Sequence, residues 1–217
     1  MKKLQYIFST IKKNKIKNII YYLFKSLLFK KGFILEKMAS ADKIKEFISL
    51  FRNNYLPVNM IRVGGASDGG YLVPNKLSSI KYCFSLGCDN LLNFELDLSK
   101  NFKIKSFIAD GSMSSLPSKN KDIEFTSKYI GVENGENFIS LSRFVNNKVG
   151  KNETNMILQM DIEGYEYEVL SQETEEFFSR FDIIIMEFHQ TQNIFLNESL
   201  KMLNANFNKI FKNFSVC

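Results

Sequence analysis

Met156-Ile157-Leu158-Gln159-Met160-Asp161-Ile162-Glu163-Gly164-Tyr165-Glu166-Tyr167-Glu168-Val169-Leu170 changes its period halfway along. The first five residues form a mainly apolar run, as in a strand covered on both faces of a sheet. The chain turns at Asp161-Ile162-Glu163-Gly164, and beyond it apolar positions recur at helical spacing. A strand that delivers two carboxylates and a glycine at its carboxyl end, just ahead of a helix, matches the place where open α/β sheets bind ligands. Chemistry is expected here before anywhere else.

The same alternation extends to both sides. Strand 82–87 precedes a helix around 90–100, and strand 104–109 a loop near 111–121. Strand 125–130 precedes a helix around 137–147, and strand 156–160 a helix over 165–178. Strand 182–188 leads to a helix around 195–206, and 210–216 is a last strand-like run. Apolar strands alternating with helices predict an α/β fold with a doubly wound, mostly parallel, Rossmann-like sheet. Ahead of it, Ile44, Phe47, Ile48 and Phe51 mark a helix over 41–53, and Ile61 to Pro74 reads as a hairpin whose loop holds four glycines and Asp68.

With 217 residues, 45% of them hydrophobic, the chain suffices for one full core. Its charge is unevenly placed. Nine lysines and no acid fall in residues 1–35, so a net +6 overall becomes −3 over the rest. Residues 1–40 are therefore set apart as a basic amphipathic leader, and 41–217 as the α/β domain. In the leader Ile7, Phe8, Ile11, Ile19, Ile20, Leu23, Phe24, Leu27 and Leu28 offer apolar surface between lysines. Such a helix suits either the surface of an anionic membrane or a packing role against the domain or a partner. A nucleic-acid arm is disfavoured, because the domain is slightly acidic and shows no platform of stacking aromatics. No uncharged apolar run reaches membrane-spanning length, and the N-terminus lacks a secretory signal's cleavage site. Cys83, Cys88 and Cys217 have no metal-ligand spacing, which points to a reducing cytoplasm, with the inner membrane face as a peripheral location. Abundant Lys, Asn, Ile and Phe with no Trp resemble the usage of an AT-rich bacterial genome.

Candidate site residues cluster at strand ends. Strand 82–87 closes on Ser85-Leu86-Gly87-Cys88-Asp89-Asn90, where one glycine at a strand–helix turn lets a nucleotide approach the backbone, or makes a plain tight turn. Asp110 ends the next strand, 23 residues beyond Gly87, close to the offset at which an acid receives ribose hydroxyls. Asp161 and His189 end two strands expected to be neighbours about 4.8 Å apart. His189 is the only histidine. A side chain of that type takes a proton near neutral pH, so it is either a base facing the acids or a structural residue. Asp161, Glu163, Glu187 and His189 offer oxygen and imidazole ligands for a divalent cation, but their spacing does not fix such a site. The Gly-rich hairpin with Asp68 and Gly69 is not a phosphate-binding P-loop. It reads as a flexible turn or a lip over a cofactor, with Tyr71 as a flat face.

Together these segments resemble the FkbM-type family of S-adenosylmethionine-dependent methyltransferases. The matching pieces are Arg62-Val63-Gly64-Gly65 with Asp68-Gly69-Gly70-Tyr71, Phe84-Ser85-Leu86-Gly87, Leu158 through Glu166 with Val169-Leu170, and Ile184 through His189. The resemblance spans roughly 58–190 and implies a class I methyltransferase fold. It also implies S-adenosylmethionine held by Asp68, Gly69, Gly87, Asp89 and Asp110, and an acceptor bordered by Asp161, Glu163 and His189. The implied reaction is O-methylation of a sugar or natural-product hydroxyl, including lipid-linked or surface polysaccharide acceptors. Two features depart from the family pattern: Cys88-Asp89 replaces a second glycine, and the chain stops at Cys217 where a final antiparallel hairpin is expected, so the C-terminal sheet edge is expected to be incomplete. The competing readings are an NAD-binding oxidoreductase, which needs a fuller glycine fingerprint, and a non-catalytic membrane-associated sugar-binding protein.

Overall fold

The computed structural model describes residues 2–33, 35–117 and 119–217, with side chains described from residue 16 onward. A long helix α1 (Lys2–Lys30) and α2 (Ala41–Asn53) precede the hairpin β1 (Met60–Val63) and β2 (Tyr71–Pro74). Then follow β3 (Tyr82–Leu86), α3 (Asn93–Asp97) running into a wider turn over Leu98–Phe102, β4 (Lys105–Ala109), β5 (Ile123–Thr126), β6 (Tyr129–Gly131), β7 (Phe138–Ser140) and α4 (Leu141–Lys148). The chain continues through β8 (Met156–Met160), α5 (Glu166–Gln172), α6 (Glu175–Phe178), β9 (Phe181–Met186) and α7 (Asn197–Ile210).

Five strands form an all-parallel sheet in the order β5-β4-β3-β8-β9. The chain winds outward from β3 to β5, then returns to lay β8 on the other side of β3. The winding therefore reverses between β3 and β8, and a crevice opens above their carboxyl ends. Strand alternation sorts the core into two layers. Phe84, Leu86, Leu158 and Met160 face Phe144, Leu170 and Phe178 of the helices on one side. Cys83, Ile157 and Ile183 face Val63, Val73, Phe94 and Leu98 on the other. Each such side chain, fully buried, contributes about 1.5–3 kcal/mol, so these layers outweigh the exposed ion pairs at about 0–1 kcal/mol each. Ser85 on β3 and Gln159 on β8 are buried polar residues in these central strands, and they are register partners.

Helix α2 has the expected extent. The Ser40 side chain accepts from the Lys43 N–H, and Asp42 sits in the first turn, where the helix dipole favours an acid. Its Phe47 and Phe51 pack edge-on and tilted against Phe207 of α7, with ring centroids 5.7 and 4.6 Å apart. Residues 37–39 are tied to the loop before α7 by two backbone hydrogen bonds, Ala39 N–H to Phe195 O and Asn197 N–H to Lys37 O, both 2.8 Å.

Several element boundaries differ from expectation. The run 125–130 divides into β5 and β6 around Ser127-Lys128, and the stretch expected as a helix from 137 begins with β7, paired to β6. The helix over 165–178 breaks at Glu173, because the Thr174 side chain caps a new start at α6. Residues 210–216 are not a strand: α7 runs to Ile210, a turn follows, and Val216 makes a single bridge with Tyr55. Among the described residues β9 is thus the edge of the sheet on that side. The leader is one continuous helix whose Ile19, Ile20, Tyr22, Leu23, Phe24, Leu27 and Phe29 are each more than half exposed. Ile7, Phe8, Ile11 and the lysines up to Lys15 lie outside the described side chains. No helix among the described residues is long and apolar enough to cross a membrane.

Candidate active site

A cavity of about 550 Å³ occupies the crevice above β3 and β8. That volume is in the range of small-molecule and cofactor sites. One wall is made by the loop after β3. Gly87 sits at φ +74°, and a Cβ there would stand 1.8 Å from the Asp161 carbonyl oxygen. The close approach is held by the backbone: Asp161 N–H donates to Leu86 O at 2.9 Å, and Gly87 N–H to Ala109 O at 3.1 Å. Asp89 and Asn90 follow at φ +35° and +65°, a region that short polar side chains tolerate.

Asp110 organises this loop. Its Oδ2 accepts from the Cys88 and Asp89 N–H groups at 3.0 and 3.1 Å, and its Oδ1 from Ser112 N–H and Oγ–H at 2.8 and 2.6 Å. Burial pushes its pKa up, but these four donors outweigh burial and leave it below the ordinary value. A carboxylate has about four acceptor sites, so all are engaged. A further hydroxyl reaches Asp110 by displacing the rotatable Ser112 Oγ. Tyr129, Ile130 and Phe138 add an apolar wall next to it.

The cavity floor is a chain of hydrogen bonds with a fixed direction. Gln159 Oε1 accepts from Leu86 N–H at 3.2 Å, which fixes the amide orientation, and its Nε2 donates to Tyr71 Oη at 3.0 Å. Ser85 Oγ lies 2.7 Å from that same Oε1 and also bonds Glu95 Oε1. A serine hydroxyl has one proton. Ser85 is the donor in both contacts, so its one proton serves the Gln159 and Glu95 oxygens in turn unless Glu95 carries a proton of its own. Burial raises the Glu95 pKa, and its Oε2 is buried without a partner. Burial thus works toward the neutral form of this acid, against the Ser85 hydrogen bond. At the other end, burial and the Asp161 charge push Tyr71 up to about 12, so the phenol keeps its proton and is left to donate into the cavity.

Opposite the Gly87 loop stands a group of acids around His189. Its Nε2 is 3.7 Å from Asp161 Oδ1 and 3.5 Å from Glu163 Oε2, while Nδ1 is 3.0 Å from Glu166 Oε1. Glu166 is wholly buried and its Oε1 also accepts from Ile162 and Gly164 N–H, closing the β8–α5 turn. Burial and the nearby Glu187 charge push Asp161 up to about 6, with His189 opposing. Burial alone would lower the His189 pKa, but the Glu166 bond and the surrounding carboxylates raise it.

Asp68, Gly69, Gly87, Asp89, Asp110, Asp161 and Glu163 all line one cavity, and His189 stands behind the last two. Asp68 is engaged locally, its Oδ1 accepting from Gly69 N–H at 2.8 Å. Ser85, Glu95, Gln159 and Glu166 are site residues that the sequence reading did not assign. For Ser85 and Gln159 a signal existed, because a lone polar residue in a buried strand needs a partner. Glu166 looks like one more acid in the first turn of a helix, and nothing in its spacing signals a link to His189.

A family model described as Methyltransferase FkbM domain matches residues 67–210. No curated protein and no solved structure matches the chain significantly.

Proposed function

The chain belongs to the FkbM methyltransferase family, and on that premise we propose that it is an S-adenosylmethionine-dependent O-methyltransferase acting on a hydroxyl of a sugar or glycan. The observation that carries this reading is the cavity at the winding reversal, with a nucleotide-type wall on one side and Asp161, Glu163 and His189 on the other. The residues present fit such a cofactor. Tyr129 and Phe138 offer flat apolar surface to a purine, and Asp89 and Asp110 offer acceptors to ribose hydroxyls. The cradle at Gly87 is open to a ligand because no side chain fills it, and Glu95, whose Oε2 has no partner, lines the same cavity.

Once bound, the cofactor would hand the methyl of its sulfonium to the acceptor oxygen and leave as a neutral thioether. The hydroxyl proton must leave as this happens, and the Asp161–His189 pair stands where it can be received. Glu163, exposed at the rim, is placed to accept hydrogen bonds from neighbouring sugar hydroxyls. Most of the rate gain falls to alignment, since an in-line displacement rewards fixed approach geometry.

Helix α1 favours an acceptor presented at a lipid surface. Its exposed Ile, Leu and Phe residues are interleaved with Lys17, Lys25 and Lys30 and no acid, the composition that lies on anionic headgroups. Removal of residues 1–35 is expected to release the protein from anionic liposomes, and unchanged binding would exclude that contact. For the main reading, isothermal titration is expected to give S-adenosylmethionine binding that Asp110→Ala abolishes, with transfer of labelled methyl to a glycan fraction. Binding of NAD in place of S-adenosylmethionine would overturn it.

A further inference from the structure

We propose that Asp161, Glu163 and His189 form a binding site for a divalent cation. One ligand atom from each, Asp161 Oδ1, Glu163 Oε2 and His189 Nε2, lies within 4.8 Å of the other two. The His189 Nε2 separations of 3.7 and 3.5 Å are too long for charge-assisted hydrogen bonds, which run about 2.7–2.9 Å. They approach the spacing of ligands sharing one ion, since metal bonds of about 2.1 Å place neighbouring donor atoms roughly 3.0–3.4 Å apart between octahedral and tetrahedral angles.

Three further observations point to an ion. Asp161 Oδ1 is buried and has no hydrogen-bond partner, although it faces the histidine nitrogen. The other ring nitrogen of His189 is held at 3.0 Å by Glu166, a residue with 0% exposure. That is the arrangement by which a buried carboxylate fixes the tautomer of a metal-ligating histidine and leaves Nε2 bare toward the ion. Finally, Asp161, Glu163 and Glu166 surround a single imidazole, with the Glu187 charge close to Asp161, and among the described residues the cavity wall carries no lysine or arginine to balance them. Two carboxylates and one imidazole suit a first-row cation of the Mn²⁺ type, with the remaining positions open to water or substrate.

The site stands on this geometry alone, while its role in transfer rests on the function proposed above. There the ion would bind the acceptor hydroxyl, lower its pKa, and leave Asp161 Oδ2 to receive the proton.

The test is a Mn²⁺ titration of the full chain followed by electron paramagnetic resonance, with no cofactor or acceptor present. One Mn²⁺ per chain is expected, with nitrogen coupling from the imidazole that His189→Ala removes. Glu163→Gln should weaken binding at least tenfold, and because that side chain is 87% exposed the variant keeps its fold. Glu166→Gln, acting only through the ring orientation, should weaken it about 10–100-fold. Glu198→Gln, a surface acid on α7, should change nothing. Absence of saturable binding below 1 mM on the order of weak sites, or Glu163→Gln binding as tightly as wild type, would overturn the proposal. Methyl transfer that survives complete chelation would remove the catalytic role and leave the methyltransferase reading standing. Mn²⁺ binding with nitrogen coupling in a protein that transfers no methyl group would do the reverse.

Discussion

Gly87→Ala is the substitution for which the structure gives the most definite cost. Two separable effects act at this position. An alanine at φ +74° carries a left-handed backbone penalty of about 1–2 kcal/mol. Its Cβ would also stand 1.8 Å from the Asp161 carbonyl oxygen, a backbone atom that cannot rotate away. Relief requires β3 and β8 to separate at their carboxyl ends, an overpacking cost of about 1–3 kcal/mol. The sum, about 2–5 kcal/mol, is a large part of a typical stability of about 5–15 kcal/mol. Gly65→Ala isolates the first effect, since Gly65 has φ +97° and nothing within 4 Å of its Cβ position. Gly135→Ala, with open space and no positive φ, should lie within about 0.5 kcal/mol of wild type. Urea unfolding followed by circular dichroism orders the three, and cofactor titration should show Gly87→Ala losing binding beyond its loss of stability. If Gly87→Ala costs no more than Gly65→Ala, the contact with Asp161 does not constrain the strand ends and the reasoning fails.

Other outcomes follow from the floor and the loop. In Glu95→Gln the amide donates to Ser85 Oγ as a protonated Glu95 would, so if burial keeps the acid neutral, stability at pH 5 should change by less than about 1 kcal/mol. Because the folded-state pKa of Glu95 is raised, its stabilising contribution is full below the ordinary carboxylate value of about 4.3 and is lost as pH rises through the folded value. Urea midpoints between pH 5 and pH 9, on the order of the linkage window, should therefore fall for wild type relative to Glu95→Gln; parallel curves would disprove a protonated Glu95. Asp110 has the opposite sign, with a lowered pKa whose contribution is present above the ordinary value of about 3.9 and lost as pH falls through the folded one. Asp110→Asn should cost about 1–3 kcal/mol at neutral pH and flatten the acid limb of the stability curve, and an unchanged acid limb would count against the four-donor loop. Gln159→Leu, which leaves the Ser85 hydroxyl, the Leu86 N–H and Tyr71 without their partner, should cost about 2–3 kcal/mol and weaken ligand binding. A variant as stable as wild type would show that the floor is not a connected chain.

Much of this arrangement was legible in the sequence, for identifiable reasons. The period change at Asp161 marks a strand end because a parallel strand is apolar throughout and a helix is not. Gly87, Asp110 and His189 were found by their place at strand ends, and the β8–β9 pairing then brings His189 to Asp161 and Glu163. Boundaries were less legible. The break at Glu173 depends on one threonine cap, and the division of 125–130 depends on which neighbours each half meets, neither of which a periodicity reports. Least legible were contacts between distant residues of ordinary type, such as Glu166 with His189, 23 positions apart, or Glu95 with Ser85.

The Ser85–Gln159 pair has a consequence for how the sheet assembles. β3 and β8 are joined only after a long excursion through β4, β5 and α4, so their pairing is a long-range contact with many ways to misalign. A slip of one residue would turn Gln159 into the apolar layer holding Phe84 and Phe178 and strand its amide there without partners. Only the native alignment sets serine and glutamine side by side. The polar rung beneath the site therefore acts as a registration key for the two half-sheets, since every other alignment leaves it unpaired.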